Sequence, residues 1–156
     1  MLAAVASRGD ITIKNCITKH LESISAKIIE MGAEVKDIEG SAIKVSCSKR
    51  PNKVTIKTLP YPGFPTDLQP PMGVAMSIAN GTSVINESIW DSRFQYTEEL
   101  NRMGAKVTAQ GKVAFFEGVD KLIGAPVSAT DLRAGAALVI AGCVAEGTTQ
   151  IYNIEH

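Results

Sequence analysis

The chain has 156 residues, 45% of them hydrophobic, and its 16 Lys and Arg balance 16 Asp and Glu. This composition supports a packed core and excludes a disordered chain, while zero net charge offers no global field for nucleic acid or an anionic membrane surface. No apolar run reaches the ~18 residues of a membrane span, and the first residues lack the basic leader of a secretory signal.

The three cysteines, Cys16, Cys47 and Cys143, are odd in number and form no Cys-x-x-Cys pair, and only His20 and His156 could supply imidazole. Neither a disulfide framework nor a zinc site is expected. The chain reads as reduced, metal-free, without a cofactor, and cytoplasmic.

In chain order, residues 10–14 alternate after Gly9 and predict a strand. Ile17, Leu21, Ile24 and Ile28 then fall at helical spacing, with Lys19, Glu22, Lys27 and Glu30 elsewhere, which predicts an amphipathic surface helix. Gly32 stands where a left-handed helix cap belongs. Strands are expected at 34–38 and 42–46, turning at Glu39-Gly40, with another at 54–58. Three prolines in Pro60-Tyr61-Pro62-Gly63-Phe64-Pro65 predict a stiff, extended approach to Asp67.

Residues 68–79 predict an apolar helix with Pro70 and Pro71 confined to its first turn. A second round follows Gly81: a strand at 83–86, a helix burying Phe94, Leu100 and Met103, then strands at 105–109 and 112–117. Residues 134–145 have no polar face, so this helix is expected to be fully buried, with Cys143 as a small hydrophobe inside it.

These elements repeat. Met31-Gly32-Ala33 returns as Met103-Gly104-Ala105, and Gly9 returns as Gly81, both offset by 72; Thr66-Asp67-Leu68 returns as Thr130-Asp131-Leu132, offset by 64. Gly147 opens a third copy. The predicted organisation is one partial domain, residues 1–156, with units at 9–80 and 81–147. Residues 1–8 align with the second half of the last apolar helix, so the chain is expected to begin inside an element.

Thr66-Asp67 and Thr130-Asp131 stand at the starts of the two apolar helices. They fit simple capping of unpaired N–H groups. They also fit an anion site, because helix N-termini carry aligned donors and a positive dipole end. Arg133 in a first helical turn favours an anion nearby, since guanidinium grips carboxylate or phosphate in two parallel bonds. A rigid Asp67 with helix N–H partners is expected to keep its charge as acceptor or base. Arg93 is placed at the start of the second amphipathic helix, and Lys49, Arg50, Lys53 and Lys57 read as a solvated basic face. No Ser-His-Asp arrangement, GxxxxGK or GxGxxG occurs.

Tyr61-Pro62-Gly63-Phe64-Pro65-Thr66-Asp67-Leu68-Gln69, Glu99-Leu100-Asn101-Arg102-Met103-Gly104-Ala105, Ala129-Thr130-Asp131-Leu132-Arg133-Ala134 and residues 141–149 resemble the enolpyruvyl transferase family, in its UDP-N-acetylglucosamine 1-carboxyvinyltransferase branch. The resemblance covers essentially the whole chain but well under half of the family's length. It implies an α/β fold of repeated sheet-plus-two-helix units in an inside-out barrel, here incomplete and drawn from a C-terminal domain. It also implies transfer of the enolpyruvyl group from phosphoenolpyruvate to the 3-hydroxyl of UDP-N-acetylglucosamine in peptidoglycan precursor synthesis, with loss of phosphate.

Within that resemblance Asp67 matches the carboxylate proposed as base for the sugar hydroxyl, and Ile89 falls where a main-chain group meets the UDP-sugar. Arg93 and Arg133 match arginines that hold phosphoenolpyruvate. The family's acid cysteine and Lys-Asn pair have no counterpart here, so the isolated chain is expected to show no turnover, to need an N-terminal domain as partner, and to self-associate through exposed apolar surface. Two rivals stand beside this reading: the related transferase acting on shikimate 3-phosphate, and a non-catalytic anion-binding module built from the same repeat.

Overall fold

The computed structural model describes residues 1–155; His156, one of the two imidazoles named above, lies outside the described residues. A short apolar helix, α1 (Leu2–Ser7), leads into β1 (Asp10–Lys14). A 3-10 turn (Thr18–Leu21) runs into α2 (Glu22–Glu30), followed by β2 (Glu34–Ile38), β3 (Ala42–Ser46) and β4 (Thr55–Lys57). A second 3-10 turn (Thr66–Leu68) opens α3 (Gln69–Ser77). The second round comprises β5 (Thr82–Asn86), α4 (Tyr96–Arg102), β6 (Lys106–Gln110), β7 (Val113–Glu117), β8 (Pro126–Ser128) and α5 (Leu132–Val144), and β9 (Gln150–Tyr152) follows.

The strands form an antiparallel sheet ordered β1-β3-β2, a mixed sheet ordered β4-β5-β7-β6, and a parallel pair β8-β9. No barrel closes. The three apolar helices α1, α3 and α5 pack on one another, and the sheets lie around them. β1 and β5, like β2 and β6, are offset by the 72 residues seen in the sequence. Hairpin β6-β7 starts one residue later on each strand than expected.

The two amphipathic helices end alike, for a local reason. Gly32 (φ 94) and Gly104 (φ 85) take a left-handed conformation open to glycine at little cost. The next amide then reaches back into the helix, Ala33 to the Ile28 carbonyl and Ala105 to that of Leu100, each at 3.0 Å. This closes otherwise unpaired carbonyls and aims the chain into β2 and β6. On α2, Ile24 and Ile28 are buried as the spacing predicts, but Ile17 is 60% exposed. Ile17 is extended and precedes the 3-10 turn, so helical periodicity does not reach it.

The apolar helices differ in burial. Every residue of α3 is buried, with Pro70 and Pro71 in its first turn as expected. α5 buries only Ala134, Ala137, Leu138 and Ala141. Leu132 (65% exposed), Val139 (53% exposed) and Cys143 face outward. The expectation of a fully buried second helix, with Cys143 inside it, is therefore corrected. An apolar helix can be covered on all sides, but its composition does not say how many neighbours it has.

Candidate active site

The segment before Asp67 is not extended, as its prolines predicted, but folded back on itself. The Leu59 amide donates to the Phe64 carbonyl at 2.9 Å and the Gly63 amide to Pro60 at 2.8 Å. The Tyr61–Pro62 peptide is cis. Phe64 is buried, and this anchors the turn against the core. Asp67 then stands in the middle of the 3-10 turn that opens α3.

Its carboxylate meets both predicted arginines. Arg93 Nη1 donates to Asp67 Oδ1 at 3.1 Å, and Arg133 Nε donates to the same oxygen. The hydrogen bond from Arg133 holds the Asp67 carboxyl below its ordinary range; desolvation opposes this, and the bond from Arg93 and both positive charges add to the lowering. In return, the bond and charge of Asp67 push the Arg133 guanidinium up. Asp67 was expected to keep its charge through helix N–H groups. No side-chain cap bond forms at either the 3-10 turn or α3, so guanidinium groups do this instead.

The capping reading holds at the other helix. Asp131 is extended, and its Oδ1 accepts the amides of Arg133 (2.7 Å) and Ala134 (3.1 Å) at the start of α5. Arg133 thus sits at a positive helix end with two carboxylates beside it, which offsets the unfavourable dipole. Arg93 does not begin a helix: α4 starts at Tyr96, and Arg93 lies in the segment before it. There its guanidinium carbon is 5.3 Å from the centroid of the Trp90 ring, a cation–π contact that helps aim it at Asp67.

Ile89 is partly exposed (38%), and its amide donates to Glu87 Oε1 at 2.8 Å. Sequence reasoning missed Glu87, a fully buried carboxylate just beyond β5. Its only signal was an acidic residue directly after an alternating apolar strand. The basic run also needs correction at Arg50, whose guanidinium is bonded to the carbonyls of Ile78, Ala79 and Val119 rather than solvated.

None of the hollows described encloses Asp67 and Arg133 together. One of about 510 Å³ lies between α2 and the first sheet, and Arg93 borders another of about 400 Å³ beside Asp91 and Ala109. The Asp67 side chain itself is 63% exposed. An accessible carboxylate between two guanidinium groups can accept a proton, while the arginine N–H groups it leaves over can grip an anion. Among the described residues no group of His, Cys, Asp and Glu is arranged to hold a metal, and no helix is long and apolar enough to cross a membrane.

The profile of EPSP synthase (3-phosphoshikimate 1-carboxyvinyltransferase) matches residues 1–156. The chain is 55% identical over 156 residues to UDP-N-acetylglucosamine 1-carboxyvinyltransferase 2 of Clostridium acetobutylicum, covering all of this chain and 37% of the relative. It is 53% identical to the Clostridium botulinum UDP-N-acetylglucosamine 1-carboxyvinyltransferase over the same shares. Among solved structures, the enolpyruvyl transferase NikO from Streptomyces tendae superposes with a TM-score of 0.84 at 23% identity, over 99% of this chain and 38% of that one. EPSP synthase from Acinetobacter baumannii gives 0.75 at 18% identity, over 99% and 40%. These two show a shared fold. The chain therefore spans little more than a third of the Clostridium proteins it matches, and with its full length under the profile it belongs to the EPSP synthase family of enolpyruvyl transferases.

Proposed function

We propose that the chain supplies one wall of an active site that moves the enolpyruvyl group of phosphoenolpyruvate onto the 3-hydroxyl of UDP-N-acetylglucosamine. The observation that carries this reading is the meeting of Asp67 with Arg93 and Arg133, contributed by three separate segments. The UDP-N-acetylglucosamine 1-carboxyvinyltransferases related at 53–55% identity support the acceptor.

In this reading Asp67 accepts the proton of the sugar hydroxyl as the hydroxyl oxygen bonds to C2 of phosphoenolpyruvate, and an acid on the facing wall, outside residues 1–156, donates a proton to C3. Phosphate then leaves C2 with the electrons of its C–O bond while a C3 proton returns to the conjugate base of that acid, which restores the double bond. Arg93 and Arg133 hold the anionic donor, releasing part of their grip on Asp67 as it binds. The Ile89 amide is already committed to Glu87, which leaves its carbonyl as the main-chain group for the sugar nucleotide. No cofactor is invoked.

The accessible Asp67 requires a second wall to exclude water, and we assign that wall to an N-terminal domain outside residues 1–156. The setting would be cytoplasmic peptidoglycan precursor synthesis, with units 9–80 and 81–147 as its structural repeats.

The test is phosphate release from phosphoenolpyruvate and UDP-N-acetylglucosamine by a family-length protein containing this segment. Asp67→Ala and Arg133→Ala should each lower turnover by about 10²–10⁴-fold, and residues 1–156 alone should release none. Wild-type rates in both variants would overturn the site. Turnover with shikimate 3-phosphate and not with the UDP-sugar would replace the acceptor.

A further inference from the structure

Glu87 follows β5 and is 0% exposed. Its Oε1 accepts the Thr58 hydroxyl at 2.7 Å and the amides of Ile89 and Trp90 at 2.8 and 3.2 Å. Its Oε2 accepts the Thr66 hydroxyl at 2.9 Å and the Gln69 side-chain amide at 3.4 Å. Backbone amides can only donate. Thr58 Oγ1 already accepts the Ser88 amide at 2.9 Å, so its own proton is directed to Glu87.

Two oxygens thus gather five neutral donors, the kind of complete pairing a buried carboxylate demands. The donors are not scattered. Thr66 precedes Asp67 and Gln69 begins α3, so Oε2 holds the segment that carries the proposed base. Ile89 and Trp90 lead to Arg93, and Trp90 lies under the Arg93 guanidinium, so Oε1 holds the segment that carries the anion grip.

The geometry points to Glu87 as a positioning residue: one buried carboxylate ties the Asp67 segment to the Ile89–Arg93 segment and sets their separation. Being fully buried, it acts through Thr66 and the Ile89 and Trp90 amides. The consequence for turnover rests on the transferase reading above; the mechanical link between the two segments does not. A misplacement of about 1 Å in a reacting group can cost roughly 10²-fold in rate, which is the scale on which such a tie acts.

Glu87→Gln keeps the shape but turns one acceptor into a donor, facing either two amides or the Thr66 and Gln69 donors. In the 156-residue chain Trp90 is the only tryptophan, so its emission maximum reports on the tied segment directly. Glu87→Gln should shift that emission with the far-UV circular dichroism unchanged. In a family-length protein it should lower kcat by about 10–100-fold.

Thr66→Val breaks only the Asp67 side of the tie. It should lower kcat in the same direction with Trp90 emission unmoved, while Thr66→Ser, which keeps the hydroxyl, should restore turnover. That pair decides the matter should Glu87→Gln fail to fold. The proposal is overturned if Glu87→Gln folds with wild-type emission or wild-type kcat, or if Thr66→Val and Thr66→Ser behave alike. A wild-type protein with no phosphate release would sink the transferase reading and leave the emission arm to judge the tie.

Discussion

Asp67 Oδ1 serves two guanidinium groups at once, and this has a consequence for acid stability. The carboxyl is held below its ordinary range, first by the bond from Arg133 and then by Arg93. A depressed carboxyl stabilises the fold above its unfolded value of about 3.9 and loses that contribution as pH falls through the lower folded value. The side chain is 63% exposed, so the stabilisation is small. Thermal melts of wild type and Asp67→Asn should therefore differ by a constant amount from about pH 8 to about pH 5, and the gap should close below about pH 4. A gap that closed near neutrality would assign the effect to some other group.

Asp67 and Arg133 stood out in the sequence because each occupies a conspicuous helix start, one of them behind a proline-rich run. Glu87 did not, because Thr58 lies 29 residues before it and Thr66 lies 21. A carboxylate that gathers donors from distant segments has no local pattern. Arg93 was expected at the start of a helix, whereas the chain stays irregular until Tyr96.

Among the elements, α3 owes its exit to Arg50. The guanidinium donates to the Ile78 and Ala79 carbonyls at 3.0 and 3.1 Å, to Val119 at 2.9 Å, and to Asp120 at 2.7 Å. A cation at a helix C-terminus is favoured by the dipole, and one planar group meets four acceptors that a point charge could not. Arg50→Met leaves three carbonyls unpaired and should cost about 2–3 kcal/mol in urea unfolding. Arg50→Lys should recover only part of it; full recovery would show that charge alone matters there.

The strands were the most legible elements, since period-two alternation bounded by glycine has a local physical origin, and β1, β2 and β3 fall on the predicted residues. Burial of the helices was less so. α3 and α5 are both almost wholly apolar, yet only α3 is enclosed, because enclosure depends on neighbours and not on the helix itself.

For the molecule as a whole, the outer face of α5 is its largest departure from expectation. Leu132 and Val139, seven residues apart and hence on one stripe, are 65% and 53% exposed, and Ile154 beside them is 69% exposed. A contiguous apolar face of this kind drives association. Residues 1–156 alone should sediment as a concentration-dependent oligomer, and Val139→Lys should return the chain to a monomer with its circular dichroism unchanged. A monomeric wild type, or equal association in the variant, would remove α5 as the cause.

The pairing of β4 with β5 reaches furthest. Thr55–Lys57 is the last strand of one round of the repeat, yet its hydrogen-bonding neighbour is the first strand of the next; β8 and β9 repeat the pattern. Each round lends its closing strand forward, as shingles overlap on a roof. A single round cut out of the chain would have an unmet donor edge at one end and an unmet receptor edge at the other, and these edges are complementary. Copies of it would join head to tail, and only the turn between successive copies would decide whether they close into a ring or grow as a filament.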